Sequence, residues 1–465
     1  MNLINLLASA PSRPDFLVHG DQRLSTTDLD DRSMRLAGAL NARGIGQGDH
    51  VAFQLPVGID AIVVYRACWS IGVVAVALHP LAGSAQLALA IEQSGPSALI
   101  SEPGSPLAEM TGTITIDQLT GGAIPPVEIA RTDDALVMFT SGSSGAPKGV
   151  IHTHASLAYK ATESIDVHGL TSDDAVLMPA PLAHVSGLLH AVLVPGAVGA
   201  KTVLMSKWDP GHALDLIEAE RVTWMVGPPT FFIGLMDHPE FRPDRVESLR
   251  LISCGGAGVS PAFAGRARTE LGVVMKRAYG STEAPTITTS RHDDPPERMI
   301  STDGRPFGGS EVRVDDEGEL WVRGPEVARG YLDPERTAEC FVDGWFRTGD
   351  LATIDDGWLV ITGRLGDRII RGGENISATE VEHQLEAHPA VSEAAAIAES
   401  DELLGERVVA FVVTTDDFDL ADCRDWFAAR GVAKFMTPER VERIENMPVL
   451  ASGKIDRAAL ADLLP

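Results

Sequence analysis

Two hydrophobic rhythms alternate along most of this chain. Short dense runs, Val51-Ala52-Phe53-Gln54-Leu55, Val73-Val74-Ala75-Val76-Ala77 and Ala135-Leu136-Val137-Met138-Phe139, read as buried strands. Between the runs, apolar residues recur at helical spacing, as in Leu29, Met34, Leu36 and Leu40 after Thr27. From residue 130 to about 290 the alternation sharpens. Lys201–Met205, Val222–Val226, Leu249–Cys254 and Val273–Tyr279 read as strands, and His212–Glu220 and Pro261–Leu271 as helices. Another helix opens at Pro228-Pro229, where proline suits a first turn. Strand and helix in turn predict parallel α/β layers. From about 310 to 362 the period falls to two. Glu311–Val314, Glu319–Val322 and Trp358–Thr362 predict a small β-subdomain at about 305–363. The last hundred residues change again. Ala378–His388 puts Val381 and Leu385 on one helical face, Val391–Ile397 and Arg407–Val413 are strands, and Leu420–Ala429 is a helix. The fold class expected is α/β: a large N-terminal domain of layered sheets over 1–363, then a small α+β domain over 364–465. The short polar stretch Gly363-Arg364-Leu365-Gly366-Asp367 is the expected boundary.

Composition narrows the ligands more than the fold. At 44% hydrophobic and 22% charged, 465 residues can bury a large core. Lys plus Arg number 38 against 65 Asp plus Glu, a formal charge of −27. So acidic a chain is a poor binder of nucleic acid or of anionic membranes, so no nucleic-acid partner is expected. Any polyanionic ligand must be met by local cations or a metal ion. The cysteines at 68, 254, 340 and 423 form no CxxC pair, which fits a reducing cytosol and a cytoplasmic location. The N-terminus lacks a basic start and a long apolar run, so no signal peptide is expected. The most apolar window, Ile59 to Leu78, holds Asp60, Arg66 and Gly72, and reads as a core helix and a strand; no transmembrane segment is expected.

The chemistry concentrates in a few short segments. Thr140-Ser141-Gly142-Ser143-Ser144-Gly145-Ala146-Pro147-Lys148-Gly149 follows a predicted buried strand. Its hydroxyls and glycine-freed backbone N–H groups suit a polyphosphate, and Lys148 adds charge. It is not a Walker loop, because Gly149 follows the lysine. Tyr279-Gly280-Ser281-Thr282-Glu283 offers a ring to stack on a base, hydroxyls for a phosphate and a carboxylate for Mg²⁺. Gly255-Gly256-Ala257 leaves room for a flat ring. Asp350, in Thr348-Gly349-Asp350 at an expected loop start, can accept both hydroxyls of a ribose. Arg364, Arg368 and Arg371 fall within eight residues, with Gly372-Gly373 behind them. Lys454, between Gly453 and Ile455, can swing into a distant site as a point charge. His184 heads the apolar stretch Val185-Ser186-Gly187. Taken singly, each segment also fits a turn, a tight backbone contact, a capping group or a solvated surface patch.

Together, in this order and spacing, they closely resemble the adenylate-forming superfamily of acyl-CoA synthetases, adenylation domains and luciferases, from about residue 20 to the end. Asp294-Pro295-Pro296-Glu297-Arg298, Asp303-Gly304-Arg305-Pro306, Ala433-Lys434 and Pro438-Glu439-Arg440 are similar to medium-chain and alicyclic-acid CoA ligases. The resemblance implies ATP, Mg²⁺ and coenzyme A. A carboxylate attacks the α-phosphate of ATP, giving an acyl-adenylate and pyrophosphate; a thiol then displaces AMP. It implies that Thr140 to Lys148 hold the β- and γ-phosphates, Glu283 binds Mg²⁺ and Thr282 the α-phosphate. Tyr279 and Gly255 to Ala257 would frame adenine, and Asp350 and Arg364 the ribose. Lys454 would bridge the substrate carboxylate and the α-phosphate. The C-terminal domain is implied to rotate after the first step, Arg371-Gly372-Gly373 replacing Lys454 so that pantetheine can pass. The pivot position, often Asp or Lys in this superfamily, is Gly366 here, and Ser143-Ser144 stand where two threonines are frequent.

The acid expected is a small molecule without an α-amine. Amino-acid adenylation domains usually place an Asp near the position of His184, and an unpaired ammonium would be costly there. Gly187, Gly255 and Gly256 suggest room, Val185, Leu188 and Leu189 apolar walls, with His184 gating the pocket or orienting the carboxylate. A medium-chain fatty, alicyclic or aryl acid fits. Competing readings are an enzyme loading a carrier-protein thiol, a nucleotide- or acyl-binding pseudoenzyme, and an oxidative, luciferase-like activity that no feature asks for. Self-association into a homodimer is left open.

Overall fold

The structure is a computed structural model. It describes residues 1–141, 147–256, 258–371, 374–401, 404–450 and 455–464. Four sheets are present among the described residues. The first has nine strands. Its centre is parallel, Lys201–Leu204, Ala175–Met178, Trp224–Gly227, Leu251–Gly255 and Val274–Tyr279 lying side by side in that order. The second has seven strands in the order Gly330–Tyr331, Pro147–Thr153, Asp134–Ser141, Val74–Ala77, His50–Gln54, Ala98–Ser101 and Thr113–Thr115.

One apolar core joins these two sheets. Phe53, Ala75 and Met138 of the second reach it, as do Val176, Trp224 and Leu251 of the first. Helix Ile59–Ser70 runs through it, buried at every position except Asp60 and apolar around most of its circumference, as a core helix must be. Its polar tips find partners: Tyr65 Oη donates to the Leu182 carbonyl at 2.8 Å and Trp69 Nε1 to the Ala135 carbonyl at 2.9 Å. The only charged side chain on its buried side, Arg66, meets Asp30 at 3.2 Å.

The third sheet has Glu311–Val314, Glu319–Arg323, Phe341–Val342, Trp345–Asp355 and Trp358–Arg364, in the stretch where the sequence predicts short strands. It is laced into its neighbours. Gly330–Tyr331, inside the same stretch of chain, leaves it to pair with Val150 and Ile151 of the second sheet. A single 3₁₀ turn, Leu365–Asp367, then leads to the fourth sheet, whose strands Arg368–Arg371, Glu374–Ser377, Val391–Asp401, Gly405–Thr414 and Arg440–Arg443 carry helices Ala378–Glu386 and Leu420–Ala429.

Two local expectations change. The described ends of the glycine- and serine-rich segment are strands: Thr140 pairs with Lys148 and Ser141 with Pro147 as antiparallel hairpin strands. Strand pairing captures both ends because Pro147–Thr153 finds a partner along its length. Thr348-Gly349-Asp350 opens no loop and lies inside strand Trp345–Asp355. Gly349 takes φ +71° there, and a register shift follows at Leu351 and Ala352. A strand interrupted by a left-handed glycine reads as a turn in one dimension.

Candidate active site

The site forms where strand Val274–Tyr279 of the first sheet ends against the second and third. Tyr279 Oη donates to Asp350 Oδ2 at 2.6 Å. Arg364 Nε donates to Asp350 Oδ1 at 2.6 Å. Asp350 and Arg364 are directly opposed across neighbouring strands. Burial, then the Asp350 charge, pushes the Tyr279 phenol well above its usual range, so it stays a donor. The carboxylate is thus buried and fixed in orientation by groups from two elements. Its backbone is braced too, with Asp350 N–H donating to Thr348 Oγ1 at 3.0 Å and Gly349 N–H to Glu319 Oε1 at 3.1 Å.

The segment after Tyr279 is pinned to the second sheet. His152, fully buried, places Nε2 2.7 Å from the Thr282 carbonyl. Burial lowers its pKa, so a neutral ring donates there. Ala328 N–H donates to the Glu283 carbonyl at 2.7 Å. Tyr331 Oη donates to Glu283 Oε1, also at 2.7 Å. Gly280 is required for the turn itself, since a Cβ there would lie 2.2 Å from the Thr286 nitrogen.

Lys148, opposite Thr140 in the hairpin, completes the group. Burial is the first cause lowering its pKa and the Arg336 charge the second; Glu283 opposes them and Arg364 adds to them. Three cations and one carboxylate therefore feel one another across the site. Cations that repel each other at a half-buried position are stabilised by a polyanion. Glu283 Oε2 makes no hydrogen bond among the described residues, and Mg²⁺ commonly takes only one or two protein carboxylates with substrate phosphates and water. Among the described residues no group of three or more His, Cys, Asp and Glu could hold a metal ion.

The structure thus brings together Thr140, Lys148, Tyr279, Gly280, Ser281, Thr282, Glu283, Asp350 and Arg364. Gly142, Ser143, Ser144, Gly145, Ala257, Gly372, Gly373 and Lys454 lie outside the described residues, as does the Ser141 side chain. Arg371 is engaged elsewhere, its Nε 2.5 Å from Glu439 Oε1. His184 caps the turn Val185–Leu188, its Nδ1 accepting from Ser186 N–H at 3.2 Å. The glycines expected to leave room have another task. A Cβ on Gly255 would sit 2.1 Å from the Ala278 carbonyl oxygen, and one on Gly187 2.1 Å from that of Pro181. Both permit backbone to approach backbone. Gly256 has φ +78°, a conformation that favours glycine.

Tyr331, His152 and Arg336 are the site residues that sequence reasoning missed. Tyr331 had a visible signal: it stands between Gly330 and the Asp333-Pro334 start of helix Pro334–Cys340. His152 had none, because the carbonyl it holds is 130 residues away.

Residues 7–332 match the AMP-binding enzyme family and residues 380–454 the AMP-binding enzyme C-terminal domain. The chain belongs to this adenylate-forming family. It is 35% identical to the medium-chain fatty-acid–CoA ligase of Escherichia coli (strain K12), over 93% of this chain and 84% of that protein. It is 36% identical to a feruloyl-CoA synthase of Amycolatopsis sp, over 94% and 93%. The crystal structure of ATP-bound MatB from Rhodopseudomonas palustris superposes with a TM-score of 0.91 at 27% identity, covering 99% of each chain. No described helix is long and apolar enough to cross a membrane.

Proposed function

We propose that this protein is an AMP-forming carboxylate–CoA ligase acting on a non-amino, mainly apolar acid of the medium-chain, alicyclic or aryl kind. The observation that carries the reading is Asp350, held by Tyr279 and Arg364, beside a cation group gathered around Glu283. One end presents fixed acceptors to a ribose, the other opposes the charge of a triphosphate. The named activities of the relatives support the same chemistry.

In this reading Thr140 to Lys148 hold the β- and γ-phosphates, Thr282 the α-phosphate and Tyr279 the adenine. Glu283 would hold Mg²⁺, which when bound neutralises phosphate charge. The carboxylate oxygen of the acid attacks the α-phosphorus, pyrophosphate leaves, and charge building on the α-phosphoryl oxygens is met by Lys454 and Lys148. The coenzyme A thiol then attacks the acyl carbon, its proton passes to solvent, and AMP departs. The domain boundary is proposed at residues 363–364, and the one-turn link at Leu365–Asp367 is the proposed hinge about which Lys454 leaves and Arg371-Gly372-Gly373 arrives. A cytoplasmic location is part of the proposal: ATP and coenzyme A are available there, and all four cysteines are unpaired.

A panel of carboxylic acids with ATP and Mg²⁺, with and without coenzyme A, tests the reading. Pyrophosphate and AMP with an acyl-CoA thioester are expected for at least one acid. Nucleotide binding with no pyrophosphate from any acid would contradict it.

A further inference from the structure

Helix His154–His168 follows directly on the strand that carries Lys148 and packs against residues 189–193, the continuation of the turn that His184 caps. Lys160, Ser164 and His168 stand on one of its faces, four residues apart. They are 0%, 1% and 5% exposed. Lys160 Nζ, Ser164 Oγ and both nitrogens of His168 have no hydrogen-bond partner among the described residues. Trp224, at the start of strand Trp224–Gly227, adds an equally unpartnered Nε1. Its ring is 5.9 Å from that of His168 and 5.4 Å from that of His190. What Lys160 does touch is the face of Phe307, 3.8 Å from the ring centroid. Glu326 and Glu163 act on it only as charges from farther off; Glu326 takes the hydroxyl of Ser310 on Oε1, and its buried Oε2 has no hydrogen-bond partner among the described residues.

Buried donors are normally paired, so a cluster left unpaired is chemically suited to acceptor oxygens. Its position gives it a use. Trp224 is level with Leu251, at the opposite end of strand Leu251–Gly255 from Gly255. Four residues of strand span about 13 Å, the reach of a medium-length acyl chain. Burial brings Lys160 down to about 8, which leaves it charged at neutral pH, while burial first and the Lys276 charge second keep His168 neutral.

We propose that this donor face is the floor of the acid pocket, and that the acid this protein activates carries an oxygen acceptor, a carbonyl or a second carboxylate, at the end remote from the reacting carboxyl. Lys160 meets that group as a charge, and Ser164, His168 and Trp224 as hydrogen-bond donors. The inference rests on the ligase reading and refines its mainly apolar acid to one with an oxygenated far end.

The test uses matched medium-length acids, each in three forms: unsubstituted, with a terminal carbonyl and with a terminal carboxylate. AMP formation with ATP, Mg²⁺ and coenzyme A gives kcat/KM. An oxygenated form is expected to exceed its unsubstituted match by about tenfold or more, because a site built to pair a polar group discriminates against ligands lacking it. Lys160→Met and, separately, His168→Phe should shrink that ratio toward unity, with the thermal shift on adding ATP showing that each variant keeps its fold and nucleotide site. Unsubstituted acids equal or superior in the unaltered enzyme would overturn the proposal and leave the ligase reading standing. So would a ratio unmoved in both folded variants. AMP from no acid of any form would sink both.

Discussion

Asp350 and Lys160 are both buried charges, and the fold treats them in opposite ways. Asp350 has each oxygen engaged, by Tyr279 and by Arg364. Lys160 has the face of Phe307 and no hydrogen bond among the described residues. A partnered carboxylate keeps its orientation before any ligand arrives, which lowers the cost of binding. An unpartnered ammonium leaves part of its stabilisation to the ligand. At the nucleotide end the ribose-facing carboxylate is positioned in advance, as suits one invariant substrate. The acid end is finished by what it binds, and there the specificity of this chain resides.

The largest effect should come from Lys454→Ala, which removes the charge proposed to act in the adenylating transition state. Pyrophosphate release should fall by a factor of about 10² or more, with thioester formation from preformed acyl-adenylate spared. Equal losses in both half-reactions would break the rotation model. Next comes Asp350→Ala. Losing a charged acceptor with two donors left behind should raise KM for ATP by about ten- to a hundredfold while KM for the acid moves little, a split that steady-state kinetics reads directly. Tyr331→Phe is smaller. It deletes one hydrogen bond to Glu283 and should raise the Mg²⁺ concentration for half-maximal pyrophosphate release by about fivefold. Smallest is a proton. Lys148 is held below its usual range chiefly by burial and by Arg336. Phosphates placed beside it favour its charged form, so ATP binding should take up a fraction of a proton and weaken as pH rises through the lowered pKa. Calorimetry in two buffers of different ionisation enthalpy measures that uptake; proton release would contradict the placement of Lys148.

Strands and helices of the large domain were legible because each is a dense apolar run or a helical stripe, as at Ala135–Phe139 and Leu29–Leu40. The segments around Lys148, Tyr279, Glu283, Asp350 and Arg364 were legible through composition and order, and the structure brings them together. What stayed hidden depends on contact across the sequence. Thr348-Gly349-Asp350 looks like a turn until strand Trp358–Arg364 pairs with it. Gly187 and Gly255 look like space, and the carbonyls that need the space belong to Pro181 and Ala278. Lys160, Ser164 and His168 look like the wet side of a helix, and only packing against Phe307 and Trp224 shows that side to be buried.

The central claim is that an acid oxygen attacks the α-phosphorus of ATP at the Glu283–Asp350 site. A heavy-oxygen label in both carboxylate oxygens of an accepted acid tests it in a single turnover. One labelled oxygen should appear in AMP, none in pyrophosphate, and the other should stay in the thioester. Label in inorganic phosphate alongside ADP, or AMP with no label, would contradict the account.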